Sequence, residues 1–296
     1  MRPSRLALLA SLLCGAAALP VQADEGLFTY AYASETLPKG EKEVALFIKN
    51  RSDKGIGSYR ATDYTAEFEY GVTDRFTASA YLMAMTHKFK DAFPAGNGVY
   101  AESGDSTNFS GVKAAAKYNF MSPYKDAFGF AIVIEPIYLA RYRLDGSKTE
   151  AYELETRFIF QKNFYDDTWV NVYNFNIEGE YRKFKNGDPD AVENEFRFQH
   201  IIGSSYRVIP KWYVGLEGRH TMDIVNGKKN HFAVAMGPNL HYGDKKWYAT
   251  VTYLRQLRGR PLYQPDFVVP DEVAGDHFNL EENEKNEVQL KIGFNL

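Results

Sequence analysis

Glu287-Val288-Gln289-Leu290-Lys291-Ile292-Gly293-Phe294-Asn295-Leu296 is the stretch on which the reading of the fold turns. Val288, Leu290, Ile292, Phe294 and Leu296 alternate strictly with Glu287, Gln289, Lys291, Gly293 and Asn295. Alternate residues of a strand face opposite sides. One face is therefore apolar to the last residue, and the other carries charges, amides and little bulk. A strand standing between hydrocarbon and a wet lumen needs those two faces. A soluble edge strand is the other reading, but no polar cap or tail follows these residues.

Similar alternation recurs upstream. About twelve strands are predicted, an even count as closed bacterial barrels require, over 42-51, 58-70, 75-88, 108-120, 128-143, 150-162, 168-183, 194-208, 211-223, 230-242, 246-258 and 286-296. In 168-183, Tyr173, Phe175, Ile177 and Tyr181 alternate with Asn174, Asn176, Glu178, Glu180 and Arg182. Strand 75-88 is less clear, because Tyr81, Met83 and Met85 share one face while Phe76, Ala78, Ala80 and Leu82 take the other. Pro136 and Pro238 fall inside strands, where each removes a ladder hydrogen bond, so bulges or bends are expected there.

The connections alternate in length. Those at Gly71-Arg75, Met121-Ala127, Asn163-Asp167, Ile209-Pro210 and Gly243-Lys245 are short and rich in turn residues, while 52-57, 89-107, 144-149, 184-193, 224-229 and 259-285 are mostly longer. Aromatics gather beside the short turns, among them Tyr70, Phe76, Tyr118, Phe120, Phe128, Phe130, Phe158, Phe160, Tyr206 and Tyr242, with all three tryptophans, Trp169, Trp212 and Trp247. Amphipathic rings prefer the headgroup level, so this clustering predicts an interfacial girdle. A soluble sandwich would place such rings in its core.

Taken together, the alternation and the last strand resemble bacterial outer-membrane β-barrels of the porin-like, channel-forming class. That resemblance implies an all-β transmembrane antiparallel barrel over residues 24-296, with short periplasmic turns and longer extracellular loops. It also implies that Val288, Leu290, Ile292, Phe294 and Leu296 serve as the signature read by the outer-membrane assembly machinery. Here the aromatic Phe294 stands two places before a terminal Leu296, where the class usually ends on the ring.

Composition agrees. Arg2 and Arg5, the apolar run Leu6 to Leu19 and Val21-Gln22-Ala23 read as a secretory signal peptide over 1-23, predicting export to the outer membrane after cleavage near Ala23. The one cysteine, Cys14, would leave with it, and Leu13 is too large for a lipoprotein site, so no thiol chemistry or disulfide is expected. Loss of Arg2 and Arg5 leaves 33 basic against 38 acidic residues, a net of −5, too mild to imply nucleic acid. Past residue 23 no stretch approaches the roughly 18 apolar residues of a spanning helix. A membrane life must then be that of a closed barrel, in which every backbone polar group is paired.

Glu67, Glu69, Glu153, Glu155, Arg157, Glu178, Glu180, Arg182, Glu195, Arg197, Glu217, Arg219, Arg255 and Lys291 are predicted to face the lumen. Opposite charges recur two places apart in Glu155/Arg157, Glu180/Arg182, Glu195/Arg197 and Glu217/Arg219, so both members of each pair share a side. They read either as a constriction that selects a small solute or as groups that neutralise one another in a narrow, plugged interior. Strand number alone does not decide, because about eight strands are filled and sixteen or more hold open channels.

Catalysis is the weaker class. None of His87, His200, His220, His231, His241 and His277 opens the His-x-Ser-Asn-Gly motif of outer-membrane phospholipase A. His200 and Ser204 share a face but lack an obvious third partner. His87 with the acidic loop 266-284 mimics an omptin-type cluster only loosely. That loop has no compact calcium-binding spacing either, so neither metal nor cofactor is expected. Basic residues at the long-loop end, such as Arg51, Lys54, Arg60, Lys88, Lys90, Arg143, Arg258 and Arg260, could meet lipopolysaccharide phosphates beside outer-membrane lipid.

Overall fold

A computed structural model describes residues 25–93, 103–185, 192–227, 229–261, 277–280 and 282–296. The expected signal peptide, most of the 259-285 loop and Lys228 lie outside the described residues.

Twelve antiparallel strands close on themselves, each paired with its sequence neighbours and the first with the last. They are β1 (Lys42–Ser52), β2 (Ser58–Thr73), β3 (Phe76–Lys90), β4 (Ser103–Met121), β5 (Gly129–Arg141), β6 (Lys148–Phe164), β7 (Trp169–Phe184), β8 (Val192–Ile209), β9 (Trp212–Val225), β10 (Lys229–Gly243), β11 (Trp247–Pro261) and β12 (Asn286–Asn295). Closure leaves no sheet edge in lipid. The seam forms because the apolar faces of β1 and β12 keep one register, Leu46 opposite Ile292 and Ile48 opposite Leu290.

Outward positions are apolar and open, as at Leu82, Leu154, Phe196, Leu216 and Val288. At the short-turn end the rings pack against one another across strands at tilted angles, Phe164 on Trp169 at 5.2 Å and Tyr242 on both Trp212 and Trp247 at 5.0 Å. The aromatic girdle and the long-loop, short-turn asymmetry are thus built into one closed cylinder, an outer-membrane β-barrel in architecture.

Several strands run further than their alternation shows. β4 starts at Ser103, because Ser103 to Thr107 pair with Lys90 to Thr86 despite lacking an apolar face. At Pro136 the β4–β5 pairing lapses between Lys113/Ile137 and Ala116/Ile134, and at Pro238 the β10–β11 pairing lapses between Met236/Arg255 and Asn239/Thr252. Both strands continue on their other side, with Pro136 opposite Leu154 and Pro238 opposite Leu216. The prolines therefore mark local irregularities rather than breaks.

Candidate functional site: a lumen closed from both ends

Residues 25–41, ahead of β1, do not trail into the periplasm. After a short 3-10 turn at Glu25–Leu27 they run up into the lumen, cross it and descend to β1. Leu27, Phe28, Tyr30 and Ala31 pack in a buried cluster with Val170, Val172, Ile201, Tyr213, Ala235 and Leu254 of the wall. Tyr32 packs against a second cluster of Tyr81, Ala115, Ala131, Val133 and Ile159. This explains the inward ring of β3: Tyr81 is buried where the wall meets Tyr32 of the segment rather than water.

An extended segment makes no ladder of its own, so its backbone needs partners. The wall supplies them. Glu217, fully buried, accepts from the backbone N–H of Thr29, Tyr30 and Ala31 at 3.0, 2.8 and 2.9 Å, and from Asn239 Nδ2 at 3.1 Å. Asn174 Oδ1 accepts from Tyr32 N at 2.6 Å, Gln161 Oε1 from Ser34 N at 2.7 Å and Thr77 Oγ1 from Leu37 N at 2.9 Å. The segment leaves the lumen where Gly40 N donates to Gly71 O at 2.7 Å. A cavity of about 30 Å³, room for one or two waters, remains between it and a wall carrying Glu67, Glu69, Lys117 and Lys291.

Gly203 marks how closely wall and plug meet, since a Cβ there would lie 2.7 Å from the Phe28 ring. Gly203→Val is expected to push the N-terminal segment out of its groove, an overpacking cost of about 1–3 kcal/mol. Limited proteolysis checks this: the variant should lose residues 25–40 faster than the wild type while the barrel core resists equally.

The extracellular end is closed by different chemistry. Arg51, fully buried on β1, donates to Asp63 Oδ2 and Oδ1 at 2.9 and 3.0 Å, to Glu284 at 2.7 Å and to Arg143 O at 2.7 Å. Arg143 Nη2 and Lys54 Nζ reach the same Glu284 carboxylate at 3.1 and 3.8 Å. Tyr59 Oη donates to Leu144 O at 2.8 Å, and Gln256 bonds the backbone of Asn279 and Glu284. The loops after β1, β5 and β11 are thereby drawn together across the mouth. Burial opposes ionisation of Glu284, but Arg143, Arg51 and Lys54 outweigh it and hold its pKa well below the usual carboxylate range. Burial lowers the Lys54 pKa to about 8, although Glu284 pulls the other way. Arg51, Lys54 and Arg143 therefore point into this latch, while Arg60, Lys88, Lys90, Arg258 and Arg260 remain exposed on the rim.

Between plug and latch lies a charged belt. Arg157–Glu155, Arg182–Glu180 and Arg197–Glu195 pair within strands at 2.7, 2.6 and 2.7 Å. Lateral pairs cross-link the rows: Arg197 to Glu178 and Asp223 at 3.1 and 2.6 Å, Arg182 to Glu195 at 3.6 Å and Arg157 to Glu135 at 3.5 Å. Glu153 lies on the same inward face, half-buried.

One expectation, the lumen position of Arg255, needs correction, and the two members of one same-face pair take other partners. Glu217 does not pair with Arg219. It is taken by the plug backbone, and Arg219 turns to Glu287 on β12, its guanidinium 5.3 Å from the Tyr30 ring centroid. Arg255 faces outward, because Leu254 and Gln256 occupy the inward positions of β11 against the plug and the 279–284 loop. It sits at the extracellular rim opposite Asn286, where its stem can cover apolar surface while the charge reaches water.

Sequence reasoning missed the plug and its polar grips, Asn174, Gln161, Asn119 and Gln289. The signal was present in the aromatic and small residues Leu27 to Ala33, just before the first strand, and in the bulk-free inward position at Gly203. His200 and Ser204 do not meet: His200 Nδ1 bonds the Tyr173 hydroxyl at 2.8 Å, and Ser204 Oγ donates to Asn171 at 2.8 Å.

The fold recurs in solved structures. The COG4313 outer membrane channel from Pseudomonas putida F1 superimposes with a TM-score of 0.61 at 11% identity, covering 89% of this chain and 98% of that one. The β domain of the Bordetella autotransporter BrkA does so with a TM-score of 0.52 at 11% identity, covering 86% of this chain and 99% of the other. No curated protein matches the sequence. Over residues 20–296 the chain fits the model of a family of unknown function, DUF6662, and it belongs to that family.

Proposed function

We propose that this barrel is a gated outer-membrane channel in its closed state, passing a small polar solute once the N-terminal plug and the extracellular latch let go. The observation that carries the reading is how the plug is held. It grips the wall through side chains such as Glu217, Asn174 and Gln161 rather than as a strand of the sheet, so it can leave without unzipping the barrel. What it would uncover is a wall lined by the belt of Glu155, Arg157, Glu178, Glu180, Arg182, Glu195 and Arg197, fitted to choose among charged solutes. Passive passage is preferred over hydrolysis because the candidate pair His200 and Ser204 engage other groups on the outward face. Delivery by the assembly machinery through β12, and lipopolysaccharide contact by the exposed rim cations, go with this reading.

Two gates in series multiply their open probabilities. Recording in planar bilayers should show rare openings for the wild type. Glu217→Ala removes four charge-assisted bonds to the plug, three from backbone N–H groups and one from the Thr29 hydroxyl, on the order of 3 kcal/mol in all, or about a hundredfold in the plug's release. Glu284→Gln should raise opening separately, and the double variant should approach the product of the two. Folded protein that stays silent in all four forms would establish a permanently plugged, structural barrel instead.

A further inference from the structure

The inward faces of β5 to β9 hold more carboxylate than their cations answer. The register sets Glu153, Glu180 and Glu195 directly opposite one another across β6, β7 and β8. It sets Glu135, Glu155 and Glu178 opposite one another across β5, β6 and β7. Like charges directly opposed across strands are destabilising, and an uncompensated buried charge costs several kcal/mol. Arg182 answers Glu180, Glu193 and Glu195, while Arg197 answers Glu178, Glu195 and Asp223. Glu155 and Glu135 are met by Arg157 and Lys113.

The account does not close at one place. Among the described residues Glu153 makes no hydrogen bond or ion pair. Glu180, only 5% exposed, spends Oε2 on Arg182 at 2.6 Å and leaves Oε1 buried with no donor. An acceptor sealed from water without a donor needs a water or an ion to answer it, and where three carboxylates converge only a cation also cancels their charge. Glu153, Glu178 and Glu180 each bring a ligating oxygen within 4.8 Å of the other two.

We propose that Glu153, Glu178 and Glu180 form a calcium site in the lumen wall. Oxygen ligands sit about 2.3–2.6 Å from Ca²⁺, so two on opposite sides of the ion are about 4.6–5.2 Å apart, and oxygens within the observed span reach one ion without moving the backbone. Mg²⁺ takes its ligands at about 2.0–2.1 Å in near-ideal octahedral geometry and gives up water reluctantly, so a wall of three carboxylates with water at the remaining positions suits Ca²⁺ better. Glu153, half-buried, gives the ion its entry and water its remaining positions. The ion would neutralise the β6–β7 rows that Arg182 and Arg197 leave negative.

The test is calorimetric titration of CaCl₂ into the full chain refolded in detergent, stripped with a chelator and held at pH 8. One saturable equivalent per chain is expected, with Glu153→Gln and Glu180→Gln each weakening it at least about tenfold and Asp244→Asn, on a periplasmic turn, leaving it unchanged. Glu153→Gln breaks no ion pair, so it remains informative if Glu180→Gln fails to fold. No saturable uptake by the wild type, wild-type affinity in both glutamine variants, or equally tight Mg²⁺ binding overturns the proposal. Ion uptake is read with the barrel closed, so the outcome stands apart from whether the barrel conducts.

Discussion

Removing residues 25–37 is expected to turn a barrel that is closed nearly all the time into one with frequent ohmic openings in planar bilayers, timed by the extracellular latch and steady once Glu284→Gln loosens that latch too. The deletion keeps Pro38 to Glu41, whose backbone bonds to Gly71 anchor the start of β1, so the seam with β12 should still zip. Twelve strands about 4.8 Å apart and tilted about 40° enclose a backbone cylinder of about 12 Å radius. Much of its periplasmic half is filled by the segment that would be gone. The wall it leaves behind exposes Val170, Val172, Ile201 and Leu254 to water, a cost the closed sheet should tolerate. A truncated protein that shifts mobility on heating, as folded barrels do, yet never conducts alone or with Glu284→Gln would sink the channel reading.

Glu284→Gln should be the most damaging single substitution at the extracellular end, by about 3–5 kcal/mol, because it removes the one carboxylate that Arg51, Lys54 and Arg143 share and leaves Arg51 with Asp63 alone. The midpoint of urea unfolding in vesicles checks this, and an unchanged midpoint would dissolve the idea of a latch. The pH dependence follows from the two shifts. Glu284 has its folded pKa depressed, so its stabilisation is present above the ordinary value of about 4.3 and is lost as pH falls through the lower, folded value. Lys54 is depressed to about 8, whereas an unfolded lysine keeps its proton to about 10.4. Between those values the unfolded chain binds more protons, so stability should rise with pH there and be flat in this contribution below about 8. In Glu284→Gln the lysine loses its anion and its pKa falls further, so the alkaline rise should begin earlier.

Cylinder and membrane level were legible along the chain because both are local. Alternation at Tyr173 to Arg182, the turn residues at Gly243-Asp244-Lys245 and the rings beside them each depend on neighbours a few places away, and a half-buried strand allows one register. The belt was partly legible for the same reason: Glu180 and Arg182, or Glu195 and Arg197, share a face and stand close enough to pair. Beyond that, polarity misled. Arg255 reads as a lumen charge, yet Leu254 holds the inward place because an apolar plug residue waits for it.

What only the tertiary structure decided is who meets whom inside. Glu217 lies 188 positions from the Thr29 amide it accepts from, and Glu284 lies 233 from Arg51. No period in the sequence encodes such distances. Residues 25–40 carry no periodic signal, because an extended segment packed against a curved wall takes its order from that wall, and the wall exists only once the first strand has found the last.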